Sequence, residues 1–472
     1  MNITELRREL DNDNVSSIDL FNNSVEAAKK SQNEYNPFVT IIDKYEKVDS
    51  NSMLSGIPYA LKDNISTKGI LTTASSNILS NYVPVYDATI YKKLKEAGAV
   101  LMGKTVLDEL AMGGTGTTGH TGIVRNPWNK ERQIGGSSAG SAAAVALGIV
   151  PFAIGSDTGD SVRKPAAYGG IVGFKPTYGR ISRYGLFAFA SSLDHLGIFA
   201  RNVKDVAIVT DIVKGHDEKD MTSLPNDNKV YANMLDNSVK GKKLFYIKEA
   251  IESDNEITDN FKEVIKKCES LGMEVKGESI NKDLLLALYP AYMAISCAEA
   301  TSNDANLNGI HFGVRGEGKT PDEIITDART KGFSELIKRR FIIGSYILQR
   351  ENQEKLFLNA YRVRRMIVDK INEKFREYDA LIMPAAAGIA PKFDEKSDKL
   401  SSEYLILDNH LCIGNFGGYP SITIPTGFVN KMPIAVNVTG RVCEDDVVLN
   451  IANMLEGTME YKDQIARRNI NV

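Results

Sequence analysis

Two segments rich in glycine and serine are the first candidates for chemistry in this chain. One is GGSSAGSAAAVALG at residues 135–148, and the other is GSDTGDSVRKP at residues 155–165. Glycines in such segments often serve only tight turns and close helix–sheet packing. The second segment, however, follows a predicted strand, IVPFAIG, and would expose consecutive backbone N–H groups beside Ser161. Such a loop suits an oxyanion hole next to a nucleophile.

Amide hydrolysis also needs a base that removes the proton of the nucleophile. Histidine is the most common base, but of the 5 histidines only His120 and His195 lie near glycine-rich segments. No GxSxG nucleophile elbow accompanies either one, so a Ser-His-Asp arrangement has weak support. A lysine in a dry pocket is another source of a neutral base, because burial favours loss of its proton.

Three segments, in order, resemble the amidase-signature family. The family places one serine in a GGSS loop and the nucleophile 24 residues later in a TGGS loop, and here Ser137 and Ser161 are separated by 161 − 137 = 24 residues. The family's lysine lies in a segment similar to GIPYALKDNI, which identifies Lys62. A lone lysine is more often a surface group or an ion-pair partner. The match of three segments in order favours a catalytic lysine.

The resemblance implies a Ser-Ser-Lys relay. Lys62 would deprotonate Ser137, which in turn would deprotonate Ser161 for attack on the amide carbonyl and formation of an acyl-enzyme. The relay would then run in reverse to protonate the leaving ammonia. The oxyanion would be bound by the backbone N–H groups of four consecutive residues, Thr158, Gly159, Asp160 and Ser161.

The resemblance covers most of the chain and is strongest toward glutaminase subunits of tRNA-dependent amidotransferases. Segments such as AGAVLMGKTVLDELAMGG and VGFKPTYGRISRYGLFAFASSLDHLG carry it. It implies that the chain hydrolyses glutamine and works with two other amidotransferase subunits, of which one is small and the other is a kinase/transamidase subunit. The latter would use the ammonia, ATP and Mg²⁺ to convert the glutamyl group of a mischarged tRNA. This chain itself would then hold no cofactor and no metal.

Free glutamine is a zwitterion, so its pocket should offer a cation to the carboxylate and an anion to the ammonium. By resemblance, these are Arg340 in IKRRFIIG and Asp408 in LILDNHLCIGN, with Tyr292 supplying a hydroxyl. The spacing to Asn415, 415 − 408 = 7, matches the family at Asp408. Arg339 remains an alternative to Arg340, either arginine could be solvated, and Tyr292 could be a core residue.

Two positions beside the nucleophile depart from the family pattern. Asp160 stands where the family has glycine, and Lys164 stands where glutamine is usual. The carboxylate of Asp160 would oppose a developing oxyanion if it pointed into the site, and we expect it to point outward. Asp157 and Arg163 flank the same loop, and we interpret them as a structural charge pair.

Composition limits the class of protein. The 57 basic and 60 acidic side chains give a formal charge of −3, which argues against direct binding of tRNA and favours a partner that holds it. The 4 cysteines form no CxxC pair, so a reducing, cytoplasmic location is expected. The start, MNITELRREL, lacks the apolar core of a signal peptide, and residues 142–154 are shorter than the ~20 residues that span a bilayer. We therefore expect no membrane association.

Short apolar runs broken by glycine alternate with helical stretches, which predicts an α/β fold. The resemblance implies α/β/α layers around a mixed central sheet, in a single domain over residues 1–472. Within it we distinguish a helical arm at 1–45, a core with the catalytic triad at 50–215, and a second α/β portion at 235–472 that completes the sheet and the substrate pocket. The polar segment 216–229 is a long connection that could be a linker.

In the arm, Ser16 or Ser17 can cap a helix in which Ile18, Phe21, Val25 and Ala28 recur at three- and four-residue spacing. The arm could pack on the body of the protein or on a partner. Two other functions stay open for the whole chain. One is a stand-alone amidase acting on another small amide, and the other is a catalytically weak scaffold subunit, which Asp160 makes conceivable.

Overall fold

The computed structural model describes residues 1–46, 50–252, 255–395 and 401–466. These residues form an 11-stranded mixed sheet with the order β1-β3-β2-β4-β6-β5-β10-β11-β9-β7-β8. The strands are β1 Phe38–Ile41, β2 Pro58–Lys62, β3 Val100–Thr105, β4 Phe152–Asp157, β5 Val172–Lys175, β6 His195–Ala200, β7 Lys243–Ile247, β8 Glu274–Glu278, β9 Ala380–Pro384, β10 Ser421–Val429 and β11 Met432–Gly440. The predicted α/β class with a mixed central sheet is confirmed.

Helices surround this sheet. They are α1 Ile3–Asp11, α2 Ser17–Tyr35, α3 Thr89–Glu96, α4 Ala139–Ala146, α5 Arg163–Gly169, α6 Val203–Val213, α7 Glu256–Ser270, α8 Lys282–Leu286, α9 Leu288–Asn303, α10 Pro321–Gly332, α11 Glu335–Leu348, α12 Arg350–Asn352, α13 Asn359–Phe375, α14 Ser402–Asn409, α15 Cys412–Phe416 and α16 Asp445–Glu456. A π-helix at Gln353–Leu358 joins α12 to α13. Short 3₁₀ helices lie at Asn77–Leu79, Glu109–Ala111, Tyr231–Asn233, Lys248–Ala250 and Asp304–Asn306.

Alternation along the strands gives the sheet two apolar faces. In β4, Phe152 and Ile154 join the core cluster formed with α3, α6 and α16, whereas Ala153 joins the cluster formed with α2 and α4. In β9, Ile382 belongs to the first face and Leu381 to the opposite one, which packs on α9 and α13. Successive side chains on a strand point to opposite faces. Helices therefore cover both faces, and the architecture is α/β/α.

The sheet topology brings two loops of chemical interest to one edge. Strand β2 runs parallel to β4, with Tyr59 opposite Phe152 and Leu61 opposite Ile154. Because parallel strands end at the same edge, Lys62 at the end of β2 lies beside the last residues of β4, where it contacts Ser156. The loop that follows β4 contains Ser161, so the base and the nucleophile predicted from the sequence start from neighbouring strand ends.

The N-terminal arm packs on the body of the protein. The Ser16 side chain caps α2 by accepting from the N–H of Asp19, as the sequence predicts. Phe21 is buried in the cluster with α4. Ile18 is 47% exposed, so it does not belong to the buried apolar face of α2 that the spacing predicted. Ile3 of α1 is buried in the cluster on the opposite face of the sheet. The arm thus reaches both faces.

The polar segment 216–229 is tied to the body, so the linker interpretation is wrong. The Asp217 carboxylate accepts hydrogen bonds from the hydroxyl groups of Thr89 and Ser182, each at 2.5 Å. Both donors lie well before the segment in the chain, and such contacts hold a connection in place. Charged and polar composition predicts exposure of a segment but does not exclude fixed hydrogen bonds to the body.

The helical stretch Lys282–Asn306 is long and apolar enough to cross a membrane by length and composition alone. In its most apolar window, 44% of the residues are buried inside the protein. Helix α9, which forms most of this stretch, packs against α11 and α13 through buried residues such as Ile295. A core helix passes the same test, so this stretch is weak evidence for a membrane span.

We predict that Gly140→Ala destabilises the fold. Every residue of α4 is buried, and a Cβ atom at Gly140 would overlap the carbonyl oxygen of Pro37 and lie 2.6 Å from the backbone nitrogen of Val106. Overpacking of this kind costs about 1–3 kcal/mol or more in the free energy of unfolding. Chemical denaturation measures it. Gly388→Ala is the control, since a Cβ there would meet nothing within 4 Å. Equal stability of the two variants would contradict the close packing of α4.

Candidate active site

Lys62 is the centre of a buried hydrogen-bond cluster. Along β2, Leu61 packs on one face of the sheet, and the fully buried Lys62 side chain points to the opposite face, toward the loop before α4. Its Nζ atom donates to the hydroxyl groups of three serines, Ser137 at 2.8 Å, Ser138 at 2.8 Å and Ser156 at 2.9 Å. The predicted contact between Lys62 and Ser137 is therefore present. Sequence reasoning missed the other two serines.

The surroundings of Lys62 make it a candidate base. Burial lowers its pKa to about 7, because removal of water disfavours the ammonium form, while Asp108, Asp157 and Asp194 act in the opposite direction. Among the described residues, no carboxylate forms an ion pair with this ammonium group. A substantial fraction of the side chain is thus a neutral amine near pH 7, which is the form that can accept a proton from Ser137.

Asp108 shapes the loop that carries Ser137. Its carboxylate accepts hydrogen bonds from four successive backbone N–H groups, at residues 115–118, over 3.0 to 3.2 Å. Its own N–H donates to the carbonyl of Ser137 at 3.1 Å. A Cβ atom at Gly136 would overlap the Asp108 carboxylate, so the second glycine of GGSS is required by close approach. Nothing in the sequence pattern predicts this role of Asp108.

The nucleophile loop is held by a buried charge pair. Arg163 contacts Asp157 through two atoms, Nη2 at 2.9 Å and Nε at 3.1 Å, and both side chains are inaccessible to solvent. Asn415 accepts from Arg163 at 2.6 Å and donates to Asp157 at 2.9 Å. Burial alone would raise the pKa of Asp157, but the Arg163 guanidinium holds it well below its usual range. The pair is structural, as predicted, and Arg163 also binds the carbonyl of Gly159 at 2.8 Å.

Ser161 lies in this loop, 4% exposed. Its carbonyl accepts from the N–H of Ser138 at 3.2 Å, which ties the two serine loops together. In the part of the chain that the structure describes, the backbone N–H groups of residues 158–161 have no protein acceptor, so they are available to an oxyanion. No hydrogen bond joins the hydroxyl groups of Ser137 and Ser161 within these residues. The transfer from Ser137 to Ser161 stays a prediction.

Tyr292 on α9 and Arg340 on α11 lie close to the nucleophile loop. A Cβ atom at Gly159 would be 3.0 Å from the ring of Tyr292 and 3.1 Å from its hydroxyl, so this tyrosine covers the loop. Burial raises the pKa of Tyr292 well above 10, and the nearby Arg340 opposes the shift. Arg340 therefore lies close to Tyr292, as a shared binding pocket requires.

The guanidinium of Arg340 is a candidate for binding an anion. Its Nε and Nη1 atoms are buried without a hydrogen-bond partner among the described residues, and its Cζ atom lies 5.7 Å from the centre of the Phe189 ring. Buried donors of this kind are nearly always satisfied, by protein, water or ligand. The neighbouring Arg339 is exposed. Between the two arginines that the sequence left open, the geometry favours Arg340.

Asp408 is already paired within the protein. The Lys164 ammonium lies 3.2 Å from Oδ1 of Asp408 and 3.1 Å from Oδ2 of Asp160, and it donates to the Asp408 carbonyl at 2.8 Å. The Asp160 side chain thus points toward Lys164, and its expected orientation away from the oxyanion stays a prediction. Sequence reasoning missed the contact between Lys164 and Asp408, because the two residues are 244 positions apart.

The fold and the site together define the class of protein. Residues 19–449 match the Amidase family, and the chain belongs to this family. Among its relatives, the A subunit of glutamyl-tRNA(Gln) amidotransferase from Thermotoga maritima is 40% identical, over 93% of this chain and 92% of the relative. The protein of the same name from Halothermothrix orenii is 39% identical over 98% of both chains.

Solved structures agree with these relatives. The crystal structure of the Thermotoga maritima A subunit of glutamyl-tRNA(Gln) amidotransferase matches with a TM-score of 0.83 and 37% identity, over 98% of this chain and 96% of that one. A crystal structure described as an amidase matches with a TM-score of 0.79 and 26% identity, over 97% of this chain and 100% of that one. The likeness covers nearly the whole of each chain.

We predict a pH dependence of amide hydrolysis that follows Lys62. The protonated ammonium cannot accept a proton, so kcat/KM should fall about tenfold per pH unit below a pKa of about 7 and level off above it. Initial rates with a small amide from pH 5.5 to 9 measure the profile. Lys62→Met should abolish the activity at every pH. A wild-type rate that stays constant between about pH 5.5 and 7 would exclude Lys62 as the base.

Proposed function

We propose that this chain is the glutaminase subunit of a tRNA-dependent amidotransferase. The observation that carries the proposal is the buried Lys62, hydrogen-bonded to Ser137 and placed beside the loop of Ser161, in a chain of the Amidase family. Relatives at about 40% identity over most of the chain are named as the A subunit of glutamyl-tRNA(Gln) amidotransferase. A shared name at this identity and coverage supports the same substrate.

The chemistry begins with the neutral amine of Lys62. It takes the proton of Ser137, whose oxygen takes the proton of Ser161 as the Ser161 oxygen bonds to the amide carbon. The N–H groups of residues 158–161 bind the oxyanion of the tetrahedral intermediate. Its collapse breaks the C–N bond, and the relay run in reverse delivers a proton to the departing nitrogen, which leaves as ammonia. Water then hydrolyses the acyl-enzyme along the same route.

Glutamine fits the charges around this centre. The unpaired guanidinium of Arg340 would bind the substrate carboxylate, and the Tyr292 hydroxyl beside it would add a hydrogen bond. The acidic side chains of Asp408 and Asp160 would face the substrate ammonium. A simple amide lacks both charges and would use neither group.

The ammonia would serve other subunits. The proposed complex contains this chain, one small subunit, and one kinase/transamidase subunit, in the cytoplasm. The kinase/transamidase subunit would bind ATP, Mg²⁺ and the mischarged tRNA, and this chain would contribute no cofactor. The formal charge of −3 agrees with a chain that leaves the tRNA to its partner. The pairing of Asp160 with Lys164 favours an active enzyme over a scaffold, because it draws the carboxylate toward the lysine.

We predict that Ser161→Ala abolishes glutamine hydrolysis and leaves assembly of the complex intact. The change removes one oxygen atom at the acylation centre, so the loss should be at least about 10³-fold in kcat, as for other nucleophiles of a catalytic relay. Glutaminase assays on the purified complex measure the loss, and size-exclusion chromatography checks assembly. In the wild type, mass spectrometry of the acyl-enzyme trapped during turnover should locate the acyl group on Ser161. An acyl group on a different residue would refute the assignment.

We predict that Arg340→Ala raises KM for glutamine by about 10- to 100-fold, the equivalent of one charge-assisted hydrogen bond. The KM for butyramide, which has no carboxylate, should change much less. Arg339→Ala is the matched control, because Arg339 is exposed on the same helix. Equal losses on both substrates would show that Arg340 has only a structural role.

A further inference from the structure

A lysine bridges two carboxylates next to the nucleophile loop. The Lys164 side chain is 11% exposed, whereas those of Asp160 and Asp408 are 23% and 30% exposed. The ammonium is therefore mostly covered, and both carboxylates keep a surface toward open space. When all three side chains are ionised, the group carries one net negative charge. We call these three residues the acidic triplet.

The acidic triplet is joined to the nucleophile loop, whose N–H groups at residues 158–161 are available to the oxyanion. Asp160 supplies one of the free N–H groups of that loop, and its carbonyl accepts from the N–H of Lys164 at 2.9 Å. The two side chains meet again through their charges at 3.1 Å. Across this four-residue turn, Lys164 thus contacts Asp160 twice, at its backbone carbonyl and at its carboxylate. No hydrogen bond or ion pair of Lys164 with Lys62 or Ser161 occurs among the described residues.

The other charges nearby do not replace Lys164. Arg163 is committed to Asp157 and Asn415 behind the loop. The charge of Arg340 opposes the rise in the pKa of Tyr292, and neither of the unpartnered Arg340 nitrogens contacts a carboxylate. In the described part of the chain, Lys164 is therefore the one cation in contact with Asp160. Without it, an unpaired carboxylate would adjoin the site of oxyanion formation.

We propose that Lys164 is a positioning residue that holds the Asp160 carboxylate away from the oxyanion and sets the charge offered to the substrate ammonium. The inference rests on the proposed amide hydrolysis and adds a determinant of its rate and selectivity. Lys164 acts through Asp160 and Asp408 and does not touch the reacting atoms. Asp160 and Lys164 function as a unit. Without Lys164, the Asp160 carboxylate would oppose the oxyanion, and without Asp160, Lys164 would have no carboxylate to hold in the nucleophile loop.

The charge of the acidic triplet differs between the wild type and each single variant, and the double variant restores it. The wild type and the double variant Asp160→Gly/Lys164→Gln both carry one net negative charge. Lys164→Gln alone carries two negative charges and frees Asp160, which should lower kcat for any amide because a fixed anion opposes the developing oxyanion. Asp160→Gly alone carries no net charge, so it should weaken binding of an ammonium group more than binding of a neutral amide.

The test is a double-mutant cycle with glutamine and butyramide as substrates, on the purified complex. Lys164→Gln should lower kcat for both substrates at least about tenfold, and Asp160→Gly should raise the KM ratio of glutamine to butyramide about fivefold. The double variant should recover to within about threefold of wild type in both kcat and the KM ratio. A lysine that only stabilises the fold would not be rescued by removal of Asp160.

Three outcomes would overturn the proposal. The first is a double variant as slow as Lys164→Gln or slower, and the second is a Lys164→Gln variant with unchanged kcat. The third is a folded Lys164→Arg variant that has lost kcat tenfold, because Lys164→Arg keeps the charge and should retain kcat. Lys164→Arg also serves as the test if Lys164→Gln fails to fold. A wild type that hydrolyses butyramide but not glutamine would contradict the proposed glutaminase, while the cycle on butyramide would still decide the role of Lys164.

Discussion

The site depends on keeping a lysine inside the protein without a carboxylate beside it. Lys62 has three hydroxyl groups as hydrogen-bond partners, and burial lowers its pKa to about 7. Lys104 is equally buried but lies 3.5 Å from Asp63, and its pKa, lowered by burial, is about 8. Burial would also lower the pKa of Lys164, but its two carboxylates hold that pKa well above 10.5. Adjacent carboxylates thus favour the ammonium form at Lys104 and Lys164, whereas Lys62 has no ion pair with a carboxylate among the described residues.

The remainder of the site supports this arrangement. Three hydroxyl groups can surround one ammonium only if the end of β2, the loop before α4 and the end of β4 meet, which the parallel pairing of β2 and β4 ensures. Asp108 fixes the loop of Ser137 through backbone N–H groups, and the Asp157–Arg163 pair fixes the loop of Ser161. In both cases the buried carboxylate accepts several hydrogen bonds, which is a condition under which buried ions hold a geometry.

The sequence could predict the parts of this protein that depend on local pattern. The short apolar runs of the strands, the Ser16 cap and the glycine-rich loops are local features, and the three catalytic candidates follow from a resemblance between ordered segments. The sequence could not predict contacts between distant positions, such as Lys164 with Asp408, because one sequence carries no record of which residues meet. It also misplaced Ile18, since helical spacing shows that a stripe exists but not where its edge lies.

The cationic and the acidic groups of the proposed substrate pocket differ in their contacts within the protein. The Nε and Nη1 atoms of Arg340 are buried with no hydrogen-bond partner in the described residues, so a substrate carboxylate would complete their hydrogen bonds. Asp408 shares Lys164 with Asp160, so an ammonium group meets a partly neutralised acidic group. In the proposed pocket, the substrate carboxylate would be recognised by direct hydrogen bonds. The substrate ammonium would instead meet a balance of three charges, and the proposed role of Lys164 makes the same balance control the position of the Asp160 carboxylate.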